Sequence, residues 1–148
     1  PITWQIPTII LLTLIFHKKV VLSALSIYII LGLFMFPVFH QGGSIGYLLT
    51  PNFGYLLGLY PLIKIIDNLN TRNKINVGNF FKKGFLAICA MHITGIIYNF
   101  MQMMFYSHFN LFLYNLGKYS LGKIGYHFLM LFPLLLLIKP IEFLKRSK

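Results

Sequence analysis

Acidic residues are nearly missing from this sequence of 148 residues. It has two, Asp67 and Glu142, against 13 lysines and arginines, and charged residues make up only 10% of the chain. Paired carboxylates for general acid–base catalysis, or an ion pathway built from acidic side chains, would need more carboxylates than this. The G-x-S-x-G, H-E-x-x-H and phosphate-loop motifs are also missing. The sequence therefore predicts no enzyme, and any ATP hydrolysis would require a separate subunit.

Cysteine is equally scarce. Cys89 is the single cysteine and lies inside an apolar run. One thiol cannot form an intramolecular disulfide, and a cluster of cysteines that binds metal is excluded for the same reason. No metal and no cofactor are expected.

Long apolar runs dominate what is present. Hydrophobic residues make up 57% of the chain and aromatic residues 17%, which leaves too little polar surface for a water-soluble fold. The runs are continuous and do not alternate, so helices are favoured over a membrane barrel. We predict an all-α, polytopic membrane helix bundle in which residues 1–148 form a single transmembrane domain. Five spans are expected, at Ile2 to Phe16, Val20 to Phe39, Pro51 to Ile66, Gly84 to Tyr106 and Ile124 to Leu144.

The distribution of the basic residues predicts the orientation. Nine lie in alternate connections and at the C-terminal end, while the opposite side holds only Lys118 and Lys123. Because cytoplasmic loops are rich in Lys and Arg, the C-terminus is expected in the cytoplasm and Pro1 outside. The net charge of +11 is therefore an indicator of topology, and no nucleic acid partner is expected. Pro1 is expected outside, and no leader sequence precedes it in this numbering. We therefore predict one helix before residue 1, which gives six helices in the full protein.

The connection from Gln41 to Tyr55 carries no charge and is expected on the outer side. Glycines such as Gly43 and Gly54 would let its backbone fold back and approach a ligand closely. The alternative is a flexible external loop with Pro51 starting the next helix. Gly54 and Gly58 also form a G-x-x-x-G pair, for which internal helix packing is favoured over a dimer face.

Polar residues inside the spans are the other candidates. His92, Asn99 and Gln102 share one helical stripe of the fourth span, which should face inward and either bond to other helices or line a cavity. Lys64 and Lys139 lie within spans, each three residues before an acidic residue. For Lys64 the favoured interpretation is a side chain that extends to the interface, whereas the deeper Lys139 is a candidate for substrate contact.

Several motifs resemble one known family. Residues 1–5 look like its P-I-T-x-Q, residues 28–32 like its Y-L-L-L-G, residues 37–39 are its P-V-F, and residues 50–58 are similar to its G-P-T-G-G-Y-L-x-G. The spacing agrees throughout this region. The chain thus resembles the BioY family of biotin transporter S components. In the family's last helix, P-F-x-P-G-D-x-x-K, Phe132 and Lys139 match, whereas Leu136 stands in place of the Asp.

The resemblance implies a plasma-membrane subunit that captures biotin for uptake. Such subunits work with a transmembrane coupling protein and paired ATPases in energy-coupling-factor transporters. The family's Asp and Lys would hold the ureido ring of biotin, and Leu136 removes one of them. The candidate substrate-binding residues are Gln5, Gly43, Asn52, Gly54, Tyr55, Asn99, Gln102 and Lys139. The residue that neutralises the carboxylate is left unassigned.

Two other functions stay open at this point. One is an S component for another small vitamin, because Leu136 and Asn52 depart from the family pattern. The other is a structural subunit of a membrane complex, since the abundance of Phe, Ile, Asn and Lys is also found in organelle membrane subunits.

Overall fold

The computed structural model describes residues 4–34, 36–39, 43–70 and 75–146, with no side chain described at 70, 139 or 141–146. Within these ranges the chain is helical and contains no strand. The helices are α1 (Gln5–Ile15), α2 (Lys18–Leu33), a 3₁₀ helix (Ile45–Leu49), α3 (Pro51–Leu57), α4 (Leu59–Asn70), α5 (Val77–Tyr106), α6 (Phe109–Asn115), a π-helix (Leu116–Leu121), α7 (Gly122–Leu129) and α8 (Leu131–Arg146).

These elements form five helical rods, which confirms the predicted all-α arrangement. The helices α3 and α4 make one rod with a break at Gly58, and α6 to α8 continue one another through the π-helix. Two stretches, Val77–Tyr106 and Phe109–Ile138, are long and apolar enough to cross a bilayer, with mean hydropathies of 1.5 and 1.8.

The core forms where α5 packs against α3 and α4, with α1 covering α4. Leu62, Ile63 and Ile66 of α4 and Ile88 of α5 are completely buried there. Apolar side chains also cover the outer faces of the rods, such as Phe105 and Leu121. Helices that are apolar on both the packed and the exposed face are typical of a bundle surrounded by hydrocarbon.

Glycines set the contact between the third and fourth rods. A Cβ added at Gly58 would lie 2.6 Å from the backbone oxygen of Met91, and one added at Gly54 would lie 2.7 Å from Cγ of Tyr98. No side chain fits at either position without a shift of the backbone or the ring. The G-x-x-x-G pair therefore serves internal packing, the interpretation favoured from the sequence.

The segment between the fourth and fifth predicted spans differs from expectation. Residues 107–123 fall between two predicted spans, yet α6, the π-helix and the start of α7 make residues 109–123 part of the last rod. Ser107, which has a left-handed φ of 55°, and His108 separate α5 from α6. Two polar side chains of this stretch, Asn115 and Ser120, turn toward the bundle and are buried. A one-dimensional reading of hydropathy could not detect that.

Asp67 has a different partner from the one that its spacing suggests. Its carboxylate lies 3.2 Å from Nζ of Lys18 at the start of α2, while Lys64 is exposed. The exposed Lys64 agrees with a side chain that extends to the interface. The corresponding pair in the last span, Lys139 and Glu142, lies outside the described side chains.

Candidate ligand-binding site

A cavity of about 880 Å³ lies between α1, α2, α3, α5 and the last rod. Its walls are mainly aliphatic and aromatic, with polar groups at a few places. Such a composition and volume are typical of sites for small organic molecules, which bury an apolar body and fix its orientation with few polar contacts. The aromatic lining residues are Trp4, Tyr28, Phe39, Tyr47, Tyr55 and Tyr119.

Residues 43–50, which comprise the 3₁₀ helix and its flanking residues, are termed the cap and lie beside this cavity. Tyr47 of the cap lines the cavity and stacks on Phe39 with ring centroids 4.2 Å apart. The Tyr98 hydroxyl of α5 donates to the Leu48 carbonyl, and Nε2 of Gln102 reaches the same oxygen at 3.4 Å. Burial raises the pKa of the Tyr47 phenol, which keeps it uncharged. The cap is thus packed onto the bundle beside the cavity.

Two lysines supply the positive charge of the cavity. Lys118 and Lys123 both line it, and their Nζ atoms lie 5.4 Å from the ring centroid of Tyr119. Lys123 is half-buried, whereas Lys118 is exposed. No carboxylate lines the described part of the cavity, so these cations have no acidic partner there. The arrangement suits a ligand that carries a negative charge.

Buried polar side chains adjoin the same cavity between α3, α5 and the last rod. The Tyr55 and Ser120 hydroxyl oxygens are 2.6 Å apart, Oγ of Ser120 is 3.3 Å from Nδ1 of His92, and Nε2 of His92 is 3.0 Å from Nδ1 of His127. Tyr55 and His127 also line the cavity. The π-helix places Ser120 toward α5, an example of the irregular helical turns that often occur at functional sites.

The structure brings three of the sequence-predicted site residues to the cavity. Gln5 at the start of α1, and Asn52 and Tyr55 of α3, line it. Pro51 at the first position of α3 sets the start of this helix, so that Asn52 and Tyr55 project from its first turns.

Four other predicted residues do not line the cavity. A Cβ at Gly43 would lie 2.6 Å from the carbonyl oxygen of Gly32, and Gly54 packs on Tyr98. Asn99 donates to the Gly95 carbonyl at 2.9 Å, and its buried Oδ1 has no partner among the described residues. Gln102 holds the cap through Leu48. Gly43, Gly54 and Gln102 thus serve helix and cap packing, whereas Asn99 bonds within its own helix.

Of the last-helix positions that the family motif suggests, Leu136 lies away from the cavity and Lys139 stays untested. Leu136, aligned with the family Asp, is 80% exposed on the outside of the bundle, and the Lys139 side chain lies outside the described residues. The cavity instead receives Lys118, Lys123 and His127, which sequence reasoning missed. One signal was available, since Ser120 and Lys123 have the same separation as the Asp and Lys of the family motif.

Comparison with known proteins gives consistent results. The chain is 41% identical over 58 residues to the probable biotin transporter BioY of Lysinibacillus sphaericus, a match that covers 39% of this chain and 30% of the length of that relative. No solved structure matches the chain. A family model described as the BioY family matches residues 1–136. This match spans most of the sequence and confirms the resemblance seen in its motifs, so the chain belongs to the BioY family.

Proposed function

We propose that this chain binds biotin at the cavity and mediates its uptake across the plasma membrane. Membership of the BioY family and the name of the similar protein from Lysinibacillus sphaericus support this substrate. The observation that carries the proposal is the cavity of about 880 Å³ with an apolar wall, two lysines and no described carboxylate. Biotin has an apolar bicycle and chain, a polar ureido ring and one carboxylate, and each of these parts has a counterpart in the lining.

In this proposal the half-buried Lys123 neutralises the carboxylate, assisted by Lys118 at the exposed rim. A charge-assisted hydrogen bond is stronger in a partly desolvated site than in water. Gln5, Asn52 and Tyr55 supply amide and hydroxyl groups that can both donate and accept, as the ureido ring requires. The cap closes over the bound ligand through Tyr47.

The proposal extends to orientation and partners. The positive-inside distribution supports an outer-facing cap and a cytoplasmic C-terminus. A transmembrane coupling protein and paired ATPase subunits would then act on the cytoplasmic face, because no phosphate-binding loop occurs in this sequence. The chain itself is proposed to act as a binding subunit and not as an enzyme.

Equilibrium binding of tritiated biotin to the purified full-length protein in detergent tests the proposal. We expect saturable binding that unlabelled biotin displaces and that thiamine and riboflavin do not. Absence of saturable biotin binding, or tighter binding of a different vitamin, would overturn it. Co-purification with an ATPase pair tests the proposed partners separately.

A further inference from the structure

Four buried or half-buried polar side chains connect in a single line beside the cavity. The hydrogen bonds run from Tyr55 to Ser120, then to His92, and from His92 to His127. Ser120 is 3% exposed and His92 is 2% exposed, and neither lines the cavity. Tyr55 and His127, at the two ends of the line, both do. Two cavity positions are therefore linked through groups that a ligand does not touch.

Each member of this line can act as donor or acceptor. A neutral imidazole has one N–H and one acceptor nitrogen, and a hydroxyl has one proton and free lone pairs. Since Nδ1 of His127 faces His92, Nε2 is the His127 nitrogen that is free for a ligand. His92 uses both ring nitrogens within the line, so its tautomer couples its two neighbours.

In two directions every inner member of the line both donates and accepts within it. In one direction Tyr55 donates to Ser120, Ser120 to His92 and His92 to His127, which leaves an acceptor oxygen at Tyr55 and an N–H donor at His127. In the other direction His127 donates to His92, His92 to Ser120 and Ser120 to Tyr55. The Tyr55 hydroxyl is then a free donor and Nε2 of His127 is an acceptor. Both directions contain one proton on each ring and each hydroxyl, so no charge is created.

We propose that the line Tyr55–Ser120–His92–His127 is a reversible hydrogen-bond relay that recognises a neutral edge with one donor and one acceptor, as in an amide or a cyclic urea. In either of these two directions the relay presents one donor and one acceptor to the cavity, and a bound ligand selects the direction. Tyr55 and His127 contact the ligand, while Ser120 and His92 are positioning residues. The identification of the ligand edge as the ureido ring of biotin rests on the proposed function.

A ligand-independent measurement tests the relay itself. In the full-length protein with ¹⁵N-labelled histidine, NMR shifts of the ring nitrogens report which nitrogen carries the proton. We expect Ser120→Ala to change the tautomer populations of His127, although the two side chains share no direct bond. Ser26→Ala is the matched control, because Ser26 makes a similar bond of 2.9 Å to Tyr60 and neither residue lines the cavity. An unchanged His127 in Ser120→Ala would overturn the relay whether or not biotin binds.

Biotin affinity gives the second test. Tyr55→Phe and His127→Phe are each expected to weaken binding about tenfold, the size of one buried hydrogen bond or slightly more. When Ser120 is present, the double variant Tyr55→Phe/His127→Phe should lose clearly less affinity than the product of the two single losses, because both changes break the same relay. In a Ser120→Ala background the effects should multiply, because the ends are already separated.

The outcomes distinguish this inference from the proposed function. If the unaltered protein binds biotin and the effects of Tyr55→Phe and His127→Phe multiply both with Ser120 and with Ser120→Ala, the relay is overturned. The proposed function is then unaffected. No biotin binding by the unaltered protein would overturn the proposed function, and the tautomer measurement would still decide the relay. Tyr60→Phe should leave affinity within about twofold, because this partly buried hydroxyl bonds Ser26 and does not line the cavity.

Discussion

Lysines at the cavity show how much the position of a single residue matters. Most of the 13 basic residues belong to the connections and report topology, yet Lys118 and Lys123 line the cavity. Lys123 is the more buried of the two, and both ammonium groups lie 5.4 Å from the ring centroid of Tyr119. A ligand carboxylate placed there would gain most from Lys123, because solvent screens a charge at the exposed Lys118.

Lys123→Gln is therefore expected to lower biotin affinity by about ten- to a hundredfold, as the loss of a charge-assisted hydrogen bond of about 1.5–3 kcal/mol implies. Lys118→Gln should have a smaller effect. Isothermal titration calorimetry with the full-length protein measures both, with the exposed Lys64→Gln as the control. Biotin methyl ester, which lacks the charge, should bind the unaltered protein and Lys123→Gln almost equally. If Lys123→Gln still weakened binding of the methyl ester, Lys123 would contact a part of the ligand other than its carboxylate.

At the scale of elements, the site depends on how closely the third rod approaches α5. Gly54 and Gly58 of this rod pack on Tyr98 and on the backbone of Met91. That contact determines where Tyr55, which lies between the two glycines, reaches Ser120. The glycines thus act on the site through the distance between two helices and not by direct contact with a ligand.

Gly58→Ala should lower the melting temperature of the purified protein by several degrees. Its Cβ would lie 2.6 Å from the Met91 oxygen, and overpacking of this kind costs about 1–3 kcal/mol. Gly125→Ala is the control, since a Cβ at this helical glycine meets nothing within 4 Å and alanine favours the helix. Equal melting temperatures for the two variants would contradict the close contact.

The cap is the second element on which binding depends. Tyr98→Phe removes the hydroxyl that donates to Leu48 while it keeps the ring against Phe53. With one hydrogen bond of about 1 kcal/mol lost from the cap, we expect biotin to dissociate about five times faster. A chase with unlabelled biotin measures this rate, and Tyr60→Phe provides the comparison. An unaltered rate would show that the cap does not limit ligand release.

For the whole molecule, charge and hydropathy together predict the orientation in the membrane. The helix α5 is long enough to cross the bilayer from Val77 to Tyr106. In the proposed orientation Ser107, directly after α5, would be outside and the C-terminal end would be in the cytoplasm.

Ser107→Cys and Ser147→Cys, each combined with Cys89→Ala, test this orientation in intact cells. A maleimide that cannot cross membranes should label Ser107→Cys directly and Ser147→Cys only after permeabilisation. Cys89→Ala alone controls for background, because Cys89 is the single natural cysteine. The reverse labelling pattern would invert the proposed topology.

Much of this architecture followed from the sequence. Apolar runs, scarce acidic residues and clustered lysines predict helical spans, because backbone groups in hydrocarbon must be satisfied within the segment. The motifs from residue 1 to 58 indicate the family, and the residues of α1 and α3 predicted from them, Gln5, Asn52 and Tyr55, line the cavity. These inferences depend on the type and spacing of residues that are near one another in the sequence.

Only the tertiary structure decided what the last rod contributes. Nothing in an apolar span shows which face meets protein and which meets lipid, so Leu136 was aligned to a ligand position although it lies on the exterior. Likewise, His92 and His127 are 35 residues apart, and packing of α7 on α5 brings their rings into hydrogen-bond contact. Rotation of each helix about its axis depends on contacts with all of its neighbours, and these contacts form only when the bundle packs.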